Sequence, residues 1–256
     1  MAIGYSWPVE RVDISKALAV YPNEDLLLQP ASYRSVFKKE QLLDIKEASK
    51  KREVRSVHIK PYGWADADEK SAEELTGELQ HIEEILPGVE TIVTHPPIAI
   101  FADAYQNIFR RYIGILSRAV NNTDNIRIAI ENMRSANTMC SPERIRYVRK
   151  LLDRSQEPRI GFAIDTSHLH LRNRKKMSRR DANMRTFNEF YEEAGKERVF
   201  QLHISDPKHS ALSDRHFDWN DIIAGEKTVL IDKIMEVKTP EELKSSVEYL
   251  KENKFI

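Results

Sequence analysis

Six short apolar runs in this chain end on, or beside, a side chain able to hold a metal ion. They are Val57-His58, Val93-Thr94-His95, Ala129-Ile130-Glu131, Ala163-Ile164-Asp165, Gln201-Leu202-His203 and Ile234-Met235-Glu236. Glu131, Asp165 and Glu236 follow apolar residues and are expected in a confined, partly desolvated place. Like charges repel there, and an unpaired buried ion is costly. Protonation or a basic neighbour relieves the repulsion in part; a divalent cation relieves it more completely. Imidazoles beside carboxylates favour zinc, manganese or iron over magnesium or calcium. Taken alone, His58 or His95 is an ordinary half-buried histidine with a satisfied hydrogen bond. Six such residues in series point to one shared site.

Two further pairs extend the set. In Asp165-Thr166-Ser167-His168 a second imidazole follows the carboxylate by three residues, and Asp214-Arg215-His216 is an Asp-x-His in a loop. Period two in extended chain points both side chains of Asp-x-His the same way. By itself that motif is equally an ordinary polar loop. His170 and His209 are read as supporting or solvent-exposed groups outside the ligand set.

The elements that must position these residues alternate along the chain. Candidate strands cover Ala2–Trp7, Asp25–Pro30, Ser56–Tyr62, Thr91–Pro96, Ile126–Met133, Arg159–Thr166, Val199–Ser205 and Lys233–Val237, with starts 23 to 40 residues apart. Between them Ala72, Leu75, Leu79, Ile82 and Leu86 share one helical face, as do Tyr105, Ile108, Tyr112, Ile115 and Ala119. Ser141-Pro142-Glu143 and Thr239-Pro240-Glu241-Glu242 carry helix-start signals, and the last helix should bury Leu243, Val247 and Leu250. The seventh unit is the weakest, because no full helix is evident between His216 and Lys233. Eight such units predict an α/β fold, a closed (β/α)8 TIM barrel, with residues 1–256 as one domain. A doubly wound open sheet often carries a glycine-rich turn after its first strand; here that turn is Ser6-Trp7-Pro8-Val9-Glu10, and the chain has only eight glycines. In a barrel the strand ends converge on one mouth.

Composition bounds the remaining choices. Apolar residues at 41% and charged residues at 31% exclude a disordered chain. No run approaches the length of a membrane span, the first residues lack the pattern of a signal peptide, and the lone Cys140 excludes an intrachain disulfide and a cysteine-rich zinc site. A cytoplasmic protein acting as a monomer, without a membrane partner, is expected. Lys and Arg number 40, as do Asp and Glu, so net charge does not decide for or against nucleic acid. The run from Arg172 to Arg180, RNRKKMSRR, places Arg172, Arg174, Lys175, Lys176, Arg179 and Arg180 just after the sixth strand. They are candidates for nucleic-acid backbone contacts, or equally for a solvated loop.

The motifs His58 with Pro61-Tyr62, His95-Pro96, Glu131-Asn132, Asp165-Thr166-Ser167-His168, His203-Ile204-Ser205-Asp206, Asp214-Arg215-His216 and Met235-Glu236 occur in an order that resembles the xylose-isomerase-like TIM barrels. Within them the chain is most like the endonuclease IV branch, the second family of apurinic/apyrimidinic endonucleases. That resemblance implies up to three zinc ions, with manganese or iron as alternatives. The first would sit on His58, His95 and Glu131; the second on Glu131, Asp165, His203 and Glu236; the third on His168, Asp214 and His216. It also implies strand-end loops that enter DNA, for which Tyr62 and Arg34 are the candidates. The extra residue before Pro61-Tyr62 and the missing glycine-rich stretches depart from the family's pattern.

Two activities follow. The first is a phosphodiesterase that cleaves DNA 5′ to abasic sites through a metal-bridged hydroxide, with Glu131 and Glu236 catalytic. The alternative is a sugar isomerase or epimerase with one ion on Glu131, Asp165, His203 and Glu236, in which Glu131 and Glu236 shuttle protons beside a polarised carbonyl of a small sugar. Three ions against the four carboxylates would leave surplus positive charge suited to phosphate. One ion against three carboxylates leaves a negative site suited to a neutral sugar.

Overall fold

The structure, a computed structural model, describes residues 2–9, 18, 26–62, 69–97, 105–134, 139–169, 177–207, 209–214 and 216–256. Eight parallel strands close into a barrel in sequence order: β1 Ile3–Pro8, β2 Leu27–Ala31, β3 Ser56–Ile59, β4 Thr91–Thr94, β5 Arg127–Glu131, β6 Ile160–Asp165, β7 Val199–Ile204 and β8 Asp232–Met235. β8 pairs back to β1, with Ile3 opposite Lys233, so no sheet edge remains. Seven α-helices are present among the described residues: α1 Lys39–Ser49, α2 Glu69–Ile85, α3 Tyr105–Val120, α4 Pro142–Ser155, α5 Arg179–Ala194, α6 Trp219–Ala224 and α7 Pro240–Glu252. No described helix is long and apolar enough to cross a membrane.

All eight expected strands form; β3 to β8 end short of expectation, β1 and β2 run one residue further, to Pro8 and Ala31, and β8 begins one residue earlier, at Asp232. Asp25, the expected start of the second, lies outside the described residues. Tyr62, Pro96 and Met133 fall beyond their strands, in the loops above the rim. α6 fills the unit in which no helix was evident. It is only six residues long, too short for a periodic signature, and it is anchored by its apolar residues: Trp219 is buried and its Nε1 donates to the Leu212 carbonyl at 2.9 Å. The two helix-start signals behave differently. Thr239 and Glu242 make the reciprocal capping box, each backbone N–H meeting the other's side chain at 3.0 and 3.2 Å. Ser141 sits at the cap of α4 without a side-chain bond, leaving Pro142 as the working signal.

Strand alternation delivers the polar residues to the mouth. Ile92, Ile128, Phe162, Ile164 and Leu202 join the large core shared with the helices. Val93, Ala129 and Ala163 form a small separate cluster with Phe200 packed on it. Two residues further along each strand, on the same face, stand His95, Glu131 and Asp165.

Gly161 shows how tightly β6 and β7 approach. A Cβ there would lie 2.2 Å from the Arg198 carbonyl oxygen and 2.8 Å from the Phe200 ring. Gly77, inside α2, has nothing within 4 Å. Gly161→Ala is therefore expected to destabilise the fold by about 1–3 kcal/mol, whereas Gly77→Ala should stabilise it by about 0.5–1 kcal/mol. Urea unfolding of both variants measures this, and equal effects would contradict the packing described.

Candidate metal centre

Glu131 lies at the middle of the barrel mouth, fully buried. Its Oε2 is 2.9 Å from His58 Nε2, 3.3 Å from His203 Nδ1 and 3.6 Å from His95 Nε2. Its Oε1 is 2.9 Å from His168 Nδ1. Glu236, at the end of β8, faces His203 Nδ1 from the other side at 3.7 Å. Two ligand groups result, each with its donor atoms within 4.8 Å of one another: His58, His95 and Glu131, and Glu131, Asp165, His203 and Glu236. Glu131 belongs to both. Of the sequence-predicted residues, the structure thus brings His58, His95, Glu131, Asp165, His168, His203 and Glu236 to one mouth.

Among the described residues His168 is grouped with Asp165 and His209, and His216, expected with it, is not in that group. Beside His168 stands His209 instead, their Nε2 atoms 3.2 Å apart, and with Asp165 they make a third candidate group. The reason lies in the loop after β7. Asp206 and Ser210 exchange both backbone hydrogen bonds, at 3.1 and 3.2 Å. His209 occupies the left-handed region at φ 58°, a conformation uncommon for a residue with a Cβ. Its imidazole is thereby turned towards Ser167, with Nδ1 3.0 Å from the Glu236 carbonyl oxygen. His216 is held elsewhere: its backbone N–H donates to Asp206 Oδ1 at 3.0 Å and its ring lies 3.7 Å from the same oxygen. The Asp214 side chain lies outside the described residues.

Neighbouring groups fix the ligands. Asn132 takes the Asp165 N–H on its Oδ1 at 2.6 Å and returns Nδ2–H to the Asp165 carbonyl at 3.1 Å, stapling β5 to β6. Asp165 accepts from Ser167 N at 2.6 Å and Ser167 Oγ at 3.0 Å. Tyr33, just past β2, donates its hydroxyl to Glu236 Oε1 at 2.7 Å, and its ring lies against His58 and His95. Tyr33 was not singled out from sequence; its only signal is an aromatic hydroxyl directly beyond a strand end.

Electrostatics follow from this crowding. Burial opposes ionisation of Glu131 and Glu236, yet the imidazoles, His203 foremost, hold both carboxyls below their usual range. Burial raises Asp165. Burial works against charge on His168 and His203 too, but Asp165 and Glu236 respectively lead the carboxylates that push these imidazoles up to about 10 and about 9. Burial pushes His58 down, towards the neutral form. Its Nδ1 lies 3.1 Å from the Ile59 carbonyl, where an N–H can donate, which leaves the Nε2 lone pair facing Glu131. Lone pair and carboxylate repel at that distance unless a proton or a cation lies between. His203 Nδ1 is buried without a hydrogen bond. These donors fit a divalent ion: the His58 Nε2 lone pair faces Glu131, and the buried His203 Nδ1 has carboxylate oxygens of Glu131 and Glu236 as its neighbours, where a cation could replace its proton.

The centre opens into a cavity of about 520 Å³ bordered by Tyr33, His95, Met133, His168, His209 and Glu236. Lys238 is the one Lys or Arg among its described lining residues. Of the candidate nucleic-acid contacts, Tyr62 is placed differently from expectation. Tyr62 is buried at 3% exposure and donates its hydroxyl to Glu78 Oε2 at 2.6 Å, so it is packed beneath the rim and does not project from it. Arg180 pairs with Asp218. Arg34 and Arg179 are exposed. Arg172, Arg174, Lys175 and Lys176 lie outside the described residues.

Residues 17–237 match the family described as xylose isomerase-like TIM barrel. The chain belongs to that family. Similar solved structures are an IOLI protein with a bound zinc atom (13% identity, TM-score 0.70, covering 100% of this chain and 99% of that one) and a sugar phosphate isomerase/epimerase from Parabacteroides distasonis (14%, 0.65, 99% and 95%). An L-ribulose 3-epimerase is similar as well (13%, 0.62, 100% and 87%). At these identities the likeness is one of fold. The family is enzymatic; two of these three neighbours are described as a sugar phosphate isomerase/epimerase and an epimerase.

Metal binding by neutral imidazoles must displace the protons that His168 and His203 hold below about 10 and about 9. Affinity for zinc or manganese should therefore rise between about pH 6 and pH 9 with net proton release. Calorimetric titration in two buffers of different ionisation enthalpy tests this, and a pH-independent affinity without proton release would contradict it.

Proposed function

We propose that this protein is a metal-dependent isomerase or epimerase acting on a small sugar or sugar-like hydroxycarbonyl compound. The observation that carries the proposal is the four-ligand group Glu131, Asp165, His203 and Glu236, which reaches through Glu236 a cavity sized for a small molecule. The cavity's described lining residues include one lysine, Lys238, which suits a neutral polyol better than a bent polyanionic duplex. Two of the neighbours named above, described as a sugar phosphate isomerase/epimerase and an L-ribulose 3-epimerase, are consistent with that choice. The reading of DNA repair loses support on two counts: Tyr62 is packed away from the mouth and Arg180 is paired.

A divalent ion on these four ligands would polarise a substrate carbonyl and make the neighbouring C–H more acidic. The remaining work falls to the chain's own groups. Glu131 and Glu236 approach His203 Nδ1 from different strands, at 3.3 and 3.7 Å. Each is held ionised by imidazoles, so each is able to accept a proton. One carboxylate would take the proton from the carbon beside the carbonyl. Return of a proton to the former carbonyl carbon, with the first carbon's hydroxyl proton moving to the old carbonyl oxygen, interconverts aldose and ketose; return to the same carbon from the opposite side inverts it. Neither outcome needs an external oxidant or reductant. Tyr33, donating to Glu236 Oε1, fixes that carboxylate's orientation, and His168 and His209 on the cavity wall are placed to meet substrate hydroxyls.

A second reading, metal-dependent phosphodiester hydrolysis, is favoured by one observation: His58, His95 and Glu131 form a further ligand group sharing Glu131 with the first, as two-metal hydrolases require.

Manganese-loaded protein incubated with a panel of ketoses and aldoses in deuterium oxide should incorporate solvent deuterium beside the carbonyl. Glu131→Gln and Glu236→Gln should each lower the rate by about 10²–10⁴-fold. Scission of an abasic-site duplex without deuterium incorporation into any sugar would overturn the proposal in favour of hydrolysis.

A further inference from the structure

Beneath the metal centre, inside the barrel, lies a hydrogen-bonded layer of three neutral polar residues from β2, β3 and β7. Gln29, Ser56 and Gln201 are all buried, between 0% and 2% exposed. Gln29 Nε2 donates to Gln201 Oε1 at 2.7 Å and to Ser56 Oγ at 2.9 Å. Gln201 Nε2 donates to the same Ser56 Oγ at 2.8 Å. Gln201 Oε1 then lies 3.2 Å from His203 Nε2. Burying two primary amides where aliphatic side chains would pack costs free energy unless their bonds are needed, and the catalytic scheme above does not use them.

We infer that Gln201, held by Gln29 and Ser56, is a positioning residue that sets the tautomer of His203, keeping the proton on Nε2 and the Nδ1 lone pair towards Glu131 and Glu236. The inference rests on the metal-centre reading and deepens it.

The direction of the network decides the point. Ser56 carries one hydroxyl proton. As arranged, its oxygen accepts two amide N–H groups, which needs no proton of its own. If both amides were reversed, Ser56 would face two carbonyl oxygens with a single proton to share, and one contact would become a repulsion. The layer is therefore polarised one way, and it presents an acceptor, Gln201 Oε1, to His203 Nε2. An acceptor there calls for Nε2–H, which leaves Nδ1 unprotonated when the ring is neutral. Nδ1 is the nitrogen that is buried without a hydrogen bond, 3.3 Å from Glu131 Oε2 and 3.7 Å from Glu236 Oε2. With the opposite tautomer Nδ1 would carry the proton and could not ligate. Ring nitrogens that bind metals are commonly oriented by a hydrogen bond from the other nitrogen; here the acceptor is an amide fixed from two neighbouring strands.

The test uses the full-length protein loaded with zinc, its metal affinity measured by competition with a chromophoric chelator, together with 15N–1H correlation spectra of the histidine side chains. Wild type should show a slowly exchanging Nε2–H on His203. Gln201→Leu should lose about 10–100-fold in zinc affinity and shift or broaden that resonance. Gln201→Glu, which keeps an acceptor oxygen, should restore most of the affinity, and Gln29→Leu, which frees the Gln201 amide to rotate, should fall between them. Thermal unfolding of each variant separates loss of fold from loss of positioning. Unchanged affinity and an unmoved His203 Nε2–H in a folded Gln201→Leu protein would overturn the inference, as would equal losses in Gln201→Leu and Gln201→Glu. Failure of the wild-type protein to bind zinc would instead remove the metal-centre reading on which the inference stands.

Discussion

Glu131, Asp165 and Glu236 are carried by three separate strands into one water-poor space, and their mutual repulsion must be balanced by positive charge. The chain meets this need with imidazoles: His58, His95, His168 and His203 all lie within 3.6 Å of a Glu131 oxygen. Much else in the upper half of the barrel serves that balance. Asn132 staples β5 to β6, Ser167 donates twice to Asp165, Tyr33 donates to Glu236, and the amide layer below orients His203. A cation among these groups would replace protons on the imidazoles, so protonation, metal binding and stability are linked through the same few atoms.

The barrel was legible because its signals are repetitive. Eight apolar runs alternate with amphipathic stretches, and closure follows from their number. The ends of β3 and β4 were read too long, since Pro61-Tyr62 and Pro96 lie above the rim, past the last paired residues. α6 was not legible, for its six residues hold position through Trp219 and the Leu212 carbonyl and not through periodicity. The seven centre residues that the structure gathers were legible for a different reason: each ends, or lies just past, an apolar run, and for all but His168, which sits in a 3-10 turn, period two then fixes which face it takes.

Residues whose roles depend on distant chain were harder to read. Tyr33 meets a carboxylate 203 positions away. His209 reaches His168 only because a closed hairpin holds it at positive φ, while the Asp-x-His spacing that drew attention to Asp214 and His216 carries no information about that turn. Tyr62 sits in a motif shared with a family whose loops enter DNA, but Glu78 on α2 holds its hydroxyl under the rim, a contact no local pattern announces. Gln201 did have a signal, a polar residue in mid-strand; its meaning depended on Gln29 and Ser56 arriving beside it.

The account turns on whether the buried acids and imidazoles share a cation in the working protein. Exhaustive chelation followed by graded return of zinc or manganese, monitored by thermal unfolding and by elemental analysis of the retained metal, tests that claim most directly. An ion bound at about a hundred times its dissociation constant should stabilise the fold by about 2.7 kcal/mol, raising Tm by roughly 5–10 °C for a chain of this size. A protein that retains no metal after exposure to either ion, with an unchanged Tm, would contradict the account.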